Sequence, residues 1–134
     1  MGNQAVNWLA VLAATAAAFL LGALWYSPVM FGKVWMRAAG VTPEQIESGA
    51  AKVFGIAFVF EFLMASNLAM FLNDPGTTLA WGATAGFLAG VGWIALGLGV
   101  ISLFERRPWS YVLVNGGYMG VSLTVMGAIL GAWR

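Results

Sequence analysis

Residues Val53 to Leu72 read VFGIAFVFEFLMASNLAMFL, twenty nearly unbroken apolar positions with one ionisable side chain, Glu61, near the middle. At a rise of about 1.5 Å per residue, such a run forms a helix about 30 Å long, the thickness of a bilayer's hydrocarbon core. A carboxylate stranded in that layer costs at least ~2.5–3.5 kcal/mol. The chain must therefore give Glu61 a proton, a partner or a water-filled cavity.

The composition fits a membrane solvent. Of 134 residues, 61% are hydrophobic and 8% charged, against about a quarter charged in soluble domains. One domain is expected at this length. A net charge of +1 gives no electrostatic case for a nucleic-acid partner. The chain has no Cys and no His, which excludes disulfides, thiolate zinc sites, Cys nucleophiles, His-ligated haem and imidazole relays. No cofactor, metal or catalytic residue is assigned. No basic residue precedes the first apolar run, so that run reads as a retained span and not a secretory signal.

Four spans are expected, at about 5–26, 53–73, 78–104 and 110–133. Asn3, Asn7 and Trp8 suit one interface of span one, while Trp25 and Tyr26 suit the other. Ser27-Pro28 then ends the helix. A cap is expected at about 29–49. Its first piece, VMFGKVWMRAA, places Lys33 and Arg37 on one face and Phe31, Val34 and Trp35 on another, which suits a helix in the headgroup layer or a turn with basic anchors. Thr42-Pro43-Glu44-Gln45 is a capping box opening a short second piece. Asn73-Asp74-Pro75-Gly76 is a tight turn that makes spans two and three a hairpin. Arg106, Arg107 and Trp109 mark the interface between spans three and four.

Five basic residues, Lys33, Arg37, Lys52, Arg106 and Arg107, fall on the cap side, with Arg134 alone on the other. The positive-inside rule then places both termini outside. Spans three and four are rich in glycine: Gly82, Gly86 and Gly90 repeat every fourth residue, and Gly116, Gly120, Gly127 and Gly131 lie near one face. Such stripes let helix backbones touch, within the chain or between copies.

The run GALWYSPVMFGKVWMR (Gly22–Arg37), with NWLAVLAA (Asn7–Ala14) and VSLTVMGAILGAW (Val121–Trp133), resembles the bacterial membrane family catalogued as domain of unknown function 1761. The resemblance runs end to end. It implies four spans with a cap after the first and a location in the bacterial inner membrane; it brings no activity, cofactor or catalytic residue.

Glu61 lies nine residues after Lys52, hence about 13 Å below the cap-side boundary. Span four enters from that side, so Asn115, Tyr118 and Ser122, spaced three and four apart on one helix face, bracket the same depth. Trp93 and Thr15 fall nearby by the same count. No Lys or Arg is deep enough to pair with Glu61 without a long snorkel. Two readings follow: a proton- or cation-handling site, or a neutral acid hydrogen-bonded across two helices. The expected fold is an all-α, up-and-down bundle of four transmembrane helices with a short helical cap. Its expected partners are the lipid bilayer and either further copies of itself, as a dimer or trimer, or a larger membrane complex. For function this leaves an oligomeric proton- or cation-coupled carrier or channel using Glu61, Tyr118, Asn115, Ser122 and Trp93, or a non-catalytic accessory or assembly subunit.

Overall fold

The computed structural model describes residues 5–134; Asn3 lies outside the described residues. Helix α1 (Trp8–Trp25) starts at Asn7, whose side chain accepts the Ala10 N–H at 3.1 Å, which satisfies one of the open donors of a helix start. The amphipathic α2 (Gly32–Ala39) keeps Lys33 and Arg37 exposed and stops at Gly40, in the left-handed region at φ 71°. In α3 (Pro43–Glu47) both arms of the capping box form: Thr42 Oγ1 accepts from the Gln45 N–H at 3.2 Å, and Gln45 Oε1 accepts from the Thr42 N–H at 2.8 Å. Helix α4 (Ala50–Phe71) follows Gly49. The turn after it is tied by Asp74 Oδ1, which accepts the Gly76 N–H, and by the Thr77 hydroxyl, which donates to the Leu72 carbonyl.

The third span is one rod in three parts: α5 (Leu79–Ala89), a π-helical turn (Gly90–Ala95) and α6 (Leu96–Phe104). Helix α7 (Trp109–Ala132) completes the fold. Among the described residues, four helical segments are long and apolar enough to cross a membrane and no strand occurs. The arrangement is the expected all-α, up-and-down bundle, with α2 and α3 capping the face where α1 ends and α4 begins. That side is called the cap face here.

Helix α7 is the hub, with α5 on one flank and α1 on the other; α4 lies mainly against α1. The core between α1, α4 and α7 is built from Ala10, Val11, Ala14 and Ala18, from Ala65, Leu68 and Leu72, and from Leu123, Met126 and Leu130. The α1 side is mostly alanine, so the helices approach closely on small side chains rather than by interlocking long ones.

The glycines explain the α5–α7 contact. A Cβ at Gly82 would strike the Gly127 carbonyl, one at Gly86 the Leu123 carbonyl, and one at Gly131 the Thr78 carbonyl. Gly90 lies under Met119 and Gly120, and Gly116 lies against Ala95. These glycine faces are therefore occupied within the chain. Gly55, Gly92 and Gly97 have open space beside them. On the remaining side α4 and α5 splay apart, although a short turn joins them. They leave an apolar groove of about 680 Å³ lined by Met64, Asn67, Phe71, Trp81, Leu88 and Trp93, among others.

Candidate functional site

The middle of the bundle holds a carboxyl–phenol pair. Glu61 on α4 and Tyr118 on α7 are both buried, at 7% and 6% exposure. The Tyr118 hydroxyl reaches Glu61 Oε2 and lies 2.8 Å from the Ala18 carbonyl oxygen of α1. Glu61 Oε1 is buried and has no hydrogen-bond partner among the described residues. Three helices thus meet at one phenol oxygen.

Proton counting shows what this arrangement can do. A phenol has one hydrogen and can also accept. If Glu61 is ionised, that hydrogen goes to the carboxylate. If Glu61 is neutral, the acid donates to Tyr118 Oη, and the phenol hydrogen turns to the Ala18 carbonyl. The same heavy atoms serve both states, so a proton can come and go without repacking the helices.

The room for this pair comes from the stretch after span one. Gly22 leaves the space that the hydroxyl fills: a Cβ there would stand 3.0 Å from Tyr118 Oη. Trp25 and Tyr26 turn inward onto α7 and do not simply face the membrane interface. The Trp25 indole donates to the Val114 carbonyl at 2.9 Å, and the Tyr26 hydroxyl donates to Asn115 Oδ1 at 2.6 Å. Asn115 in turn donates from Nδ2 to the Tyr111 carbonyl at 2.9 Å. The Tyr26 ring meets the Tyr118 ring edge-on, with centroids 5.5 Å apart.

The Ser27-Pro28 break then folds the chain back on itself. The Phe31 and Gly32 N–H groups donate to the Trp25 and Ser27 carbonyls, each at 2.9 Å. Gly32 is tightly enclosed, since a Cβ there would meet the Tyr26 carbonyl oxygen and the Ser27 carbonyl. This turn sets the Phe31 ring on Trp25 at 4.8 Å and the Trp35 ring on Tyr26 at 5.3 Å. The cap is therefore fastened to the site by ring contacts as well as by backbone.

The other named residues divide clearly. Ser122 is fully buried one turn beyond Tyr118, with no hydrogen bond of ordinary geometry to its hydroxyl. Asn115 joins the site through Tyr26 and not through Glu61. Thr15 is fully buried and donates to the Val11 carbonyl of its own helix at 2.8 Å. Trp93 does not join the site: it is 76% exposed and lines the groove between α4 and α5. The π-helical turn is the reason. In a regular helix Trp93 would share the face of Gly86 and Gly90; the wider turn rotates it away and brings Ala95 onto Gly116 instead. Arg107 lies beside Glu105 at 3.4 Å and over the Tyr111 ring at 5.1 Å; Trp109 is exposed. Arg106 takes a left-handed φ of 63° in the same turn.

Two participants escaped the sequence reading. The Ala18 carbonyl has no side-chain signature. The clearance at Gly22 does have one, a glycine one turn before Tyr26 in an otherwise bulky stretch.

These features define a small multi-pass membrane protein, with a titratable pair enclosed by three of its helices. The chain matches the family described as Protein of unknown function (DUF1761) over residues 9–131, and it belongs to that family. Neither the curated proteins nor the solved structures yielded a match.

Proposed function

We propose that this protein is a proton- or cation-coupled membrane carrier or channel in which Glu61 is the ion-handling group and Tyr118 its partner. The observation that carries the reading is the pair itself: a buried carboxyl with one oxygen unpartnered, beside a phenol that can serve both protonation states. An ionisable residue placed inside a membrane is costly, and such residues characteristically mark ion or proton routes. The Ser122 hydroxyl and the Tyr26–Asn115 pair supply the polar surroundings of the site. Trp93 drops out of it. The working unit holds more than one copy, because four helices that leave α4 and α5 splayed do not enclose a path by themselves.

Purified protein in vesicles loaded with a pH-sensitive dye tests this. Proton or cation flux that Glu61→Gln abolishes supports the proposal. Flux unchanged by that substitution, or no flux from correctly folded protein, refutes it.

The groove between α4 and α5 favours a second reading, an accessory subunit that accepts a partner's transmembrane helix along Met64, Phe71 and Leu88. Co-purification of a stoichiometric complex in mild detergent, lost on filling the groove by Gly92→Leu, where the space beside the backbone is open, supports it. A chain that always isolates free of other proteins contradicts it.

A further inference from the structure

Burial in the bundle is lopsided about Glu61. In α4 no residue before Glu61 is buried, whereas Ala65, Ser66 and Leu68 beyond it are, as is Leu72 at the helix end. In α1 the buried run is Ala10, Val11, Ala14, Thr15 and Ala18, and it stops at the residue whose carbonyl meets Tyr118. Glu61, Ala18 and Tyr118 therefore form the rim of the packed core. From that rim to the opposite face the interior is Ala14, Val11, Ala10, Ala65, Leu68, Met126 and Leu130, each at 7% exposure or less.

Toward the cap face the interior changes character. Tyr26, Ser27, Asn115 and Tyr111 are each only partly buried and carry hydroxyl or amide groups. Tyr111, Asn115 and Tyr118 follow one another at helical spacing along α7, and Tyr26 bonds to the middle one. This side offers hydrogen-bonding groups at each turn, as a hydrated ion requires; on the other side the Ser122 hydroxyl sits one turn past Tyr118, at the rim, and beyond it the buried hydroxyls of Thr15, Ser66 and Thr77 are spent on backbone carbonyls of their own segments. The ionisable groups toward the cap face fall into two sets. Inside the bundle they are Tyr118, Tyr111 and Tyr26; at the cap face itself Lys33 and Arg37 of α2, Glu44 and Glu47 of α3, Lys52 of α4 and Glu105, Arg106 and Arg107 of the turn before α7 are exposed, with Arg107 over the Tyr111 ring; α5 and α6 carry no charged residue.

We infer that Glu61 exchanges its proton or cation with the cap face alone, past Tyr26 and Asn115 as positioning residues, and is sealed from the opposite face by the alanine-rich core. The inference rests on Glu61 being the ion-handling group and adds which side of the membrane it serves in this conformation. For a carrier, this is the conformation open to the cap face.

The chain has no cysteine, so single cysteines can be placed without a background. In vesicles holding the full-length protein, Glu61→Cys and Asn115→Cys should react with a charged, membrane-impermeant thiol reagent added on the cap face. Neither should react with reagent added on the other face. Thr15→Cys and Ser66→Cys, both close in size to the native residue, should be protected from both faces; Gln45→Cys in the cap identifies the side. Reaction at position 61, 15 or 66 from the opposite face overturns the inference, and so does a position 61 that reagent on the cap face cannot reach. Should Glu61→Cys not fold, the unaltered protein serves: a charged carbodiimide, which adds to carboxyl groups, should modify Glu61 from the cap face only. Modification from the opposite face overturns the inference. Cap-side labelling without Glu61-dependent flux would remove the carrier and leave the sidedness; flux without cap-side labelling would do the reverse.

Discussion

Replacing Tyr118 by phenylalanine removes one oxygen and leaves the ring where it packs, 5.5 Å from Tyr26 and 6.4 Å from Trp25. Glu61 Oε2 then loses its partner, and Oε1 has none among the described residues, so a buried carboxyl is left with nothing. Leaving a buried polar group unsatisfied costs about 1–3 kcal/mol. Inside a membrane the unfolded reference also finds partners, which brings measured values down to about 0.6–2 kcal/mol. We expect a loss of about 1–2 kcal/mol, which at about 1.4 kcal/mol per factor of ten is roughly a tenfold shift in the unfolding equilibrium. Glu61→Gln should cost less than half as much, because its amide N–H can donate to the phenol as the neutral acid does. Glu61→Leu combined with Tyr118→Phe should recover most of the single loss, since removing both partners together leaves nothing unsatisfied. Reversible unfolding in mixed micelles with increasing anionic detergent, followed by tryptophan fluorescence, reads all three. A neutral Tyr118→Phe, or a double variant as unstable as the sum of its parts, would refute the reasoning.

The remaining predictions concern the frame around the pair. Gly127→Ala would drive a Cβ into the Gly82 carbonyl and should cost about 1–3 kcal/mol in the same assay. Gly97→Ala, with open space beside it, should be neutral or gain up to about 1 kcal/mol from helix propensity. Gly32→Ala should open the fold-back turn, visible as a shift in tryptophan emission as Trp25 loses its seat against Phe31 and the Val114 carbonyl. Thr42→Ala removes one arm of the capping box, a local effect of about 1 kcal/mol. It should lower amide-exchange protection at Gln45 and leave the unfolding midpoint of the bundle unchanged.

Much of this frame could be read from the residues because membrane helices obey strong local rules. Apolar runs of the right length, Pro28 as a break, and the Thr42 capping box each dictate structure by steric and hydrogen-bond demands confined to a few neighbours. The meeting of Glu61 with Tyr118 was within reach for the same reason: depth counted from the cap face along two helices that run the same way brings them level. Rotation about a helix axis is different, because it depends on every turn before it. Gly90–Ala95 contains no residue that announces a π-helical turn; the small side chains that permit it look the same as those that pack. That single wide turn sends Trp93 outward. The destination of the glycine stripes was equally open, since a stripe of small residues fits any backbone, and only the fold shows that α5 takes the glycine face of α7. Trp25 and Tyr26 carry the same ambiguity. Aromatic amphiphiles at a span's end suit an interface belt, yet here their polar atoms are engaged by Val114 and Asn115.

The claim beneath the whole account is that the proton on Glu61 comes and goes inside a folded bundle. Isotope-edited infrared spectroscopy of the reconstituted protein, with Glu61 identified by the band lost in Glu61→Gln, reads this directly. We expect a carboxylic-acid carbonyl band that shifts in heavy water and gives way to the carboxylate band as pH is raised, with the helices intact. A Glu61 that holds one state across that range and never exchanges with heavy water would contradict the account and leave the pair as a clasp between helices.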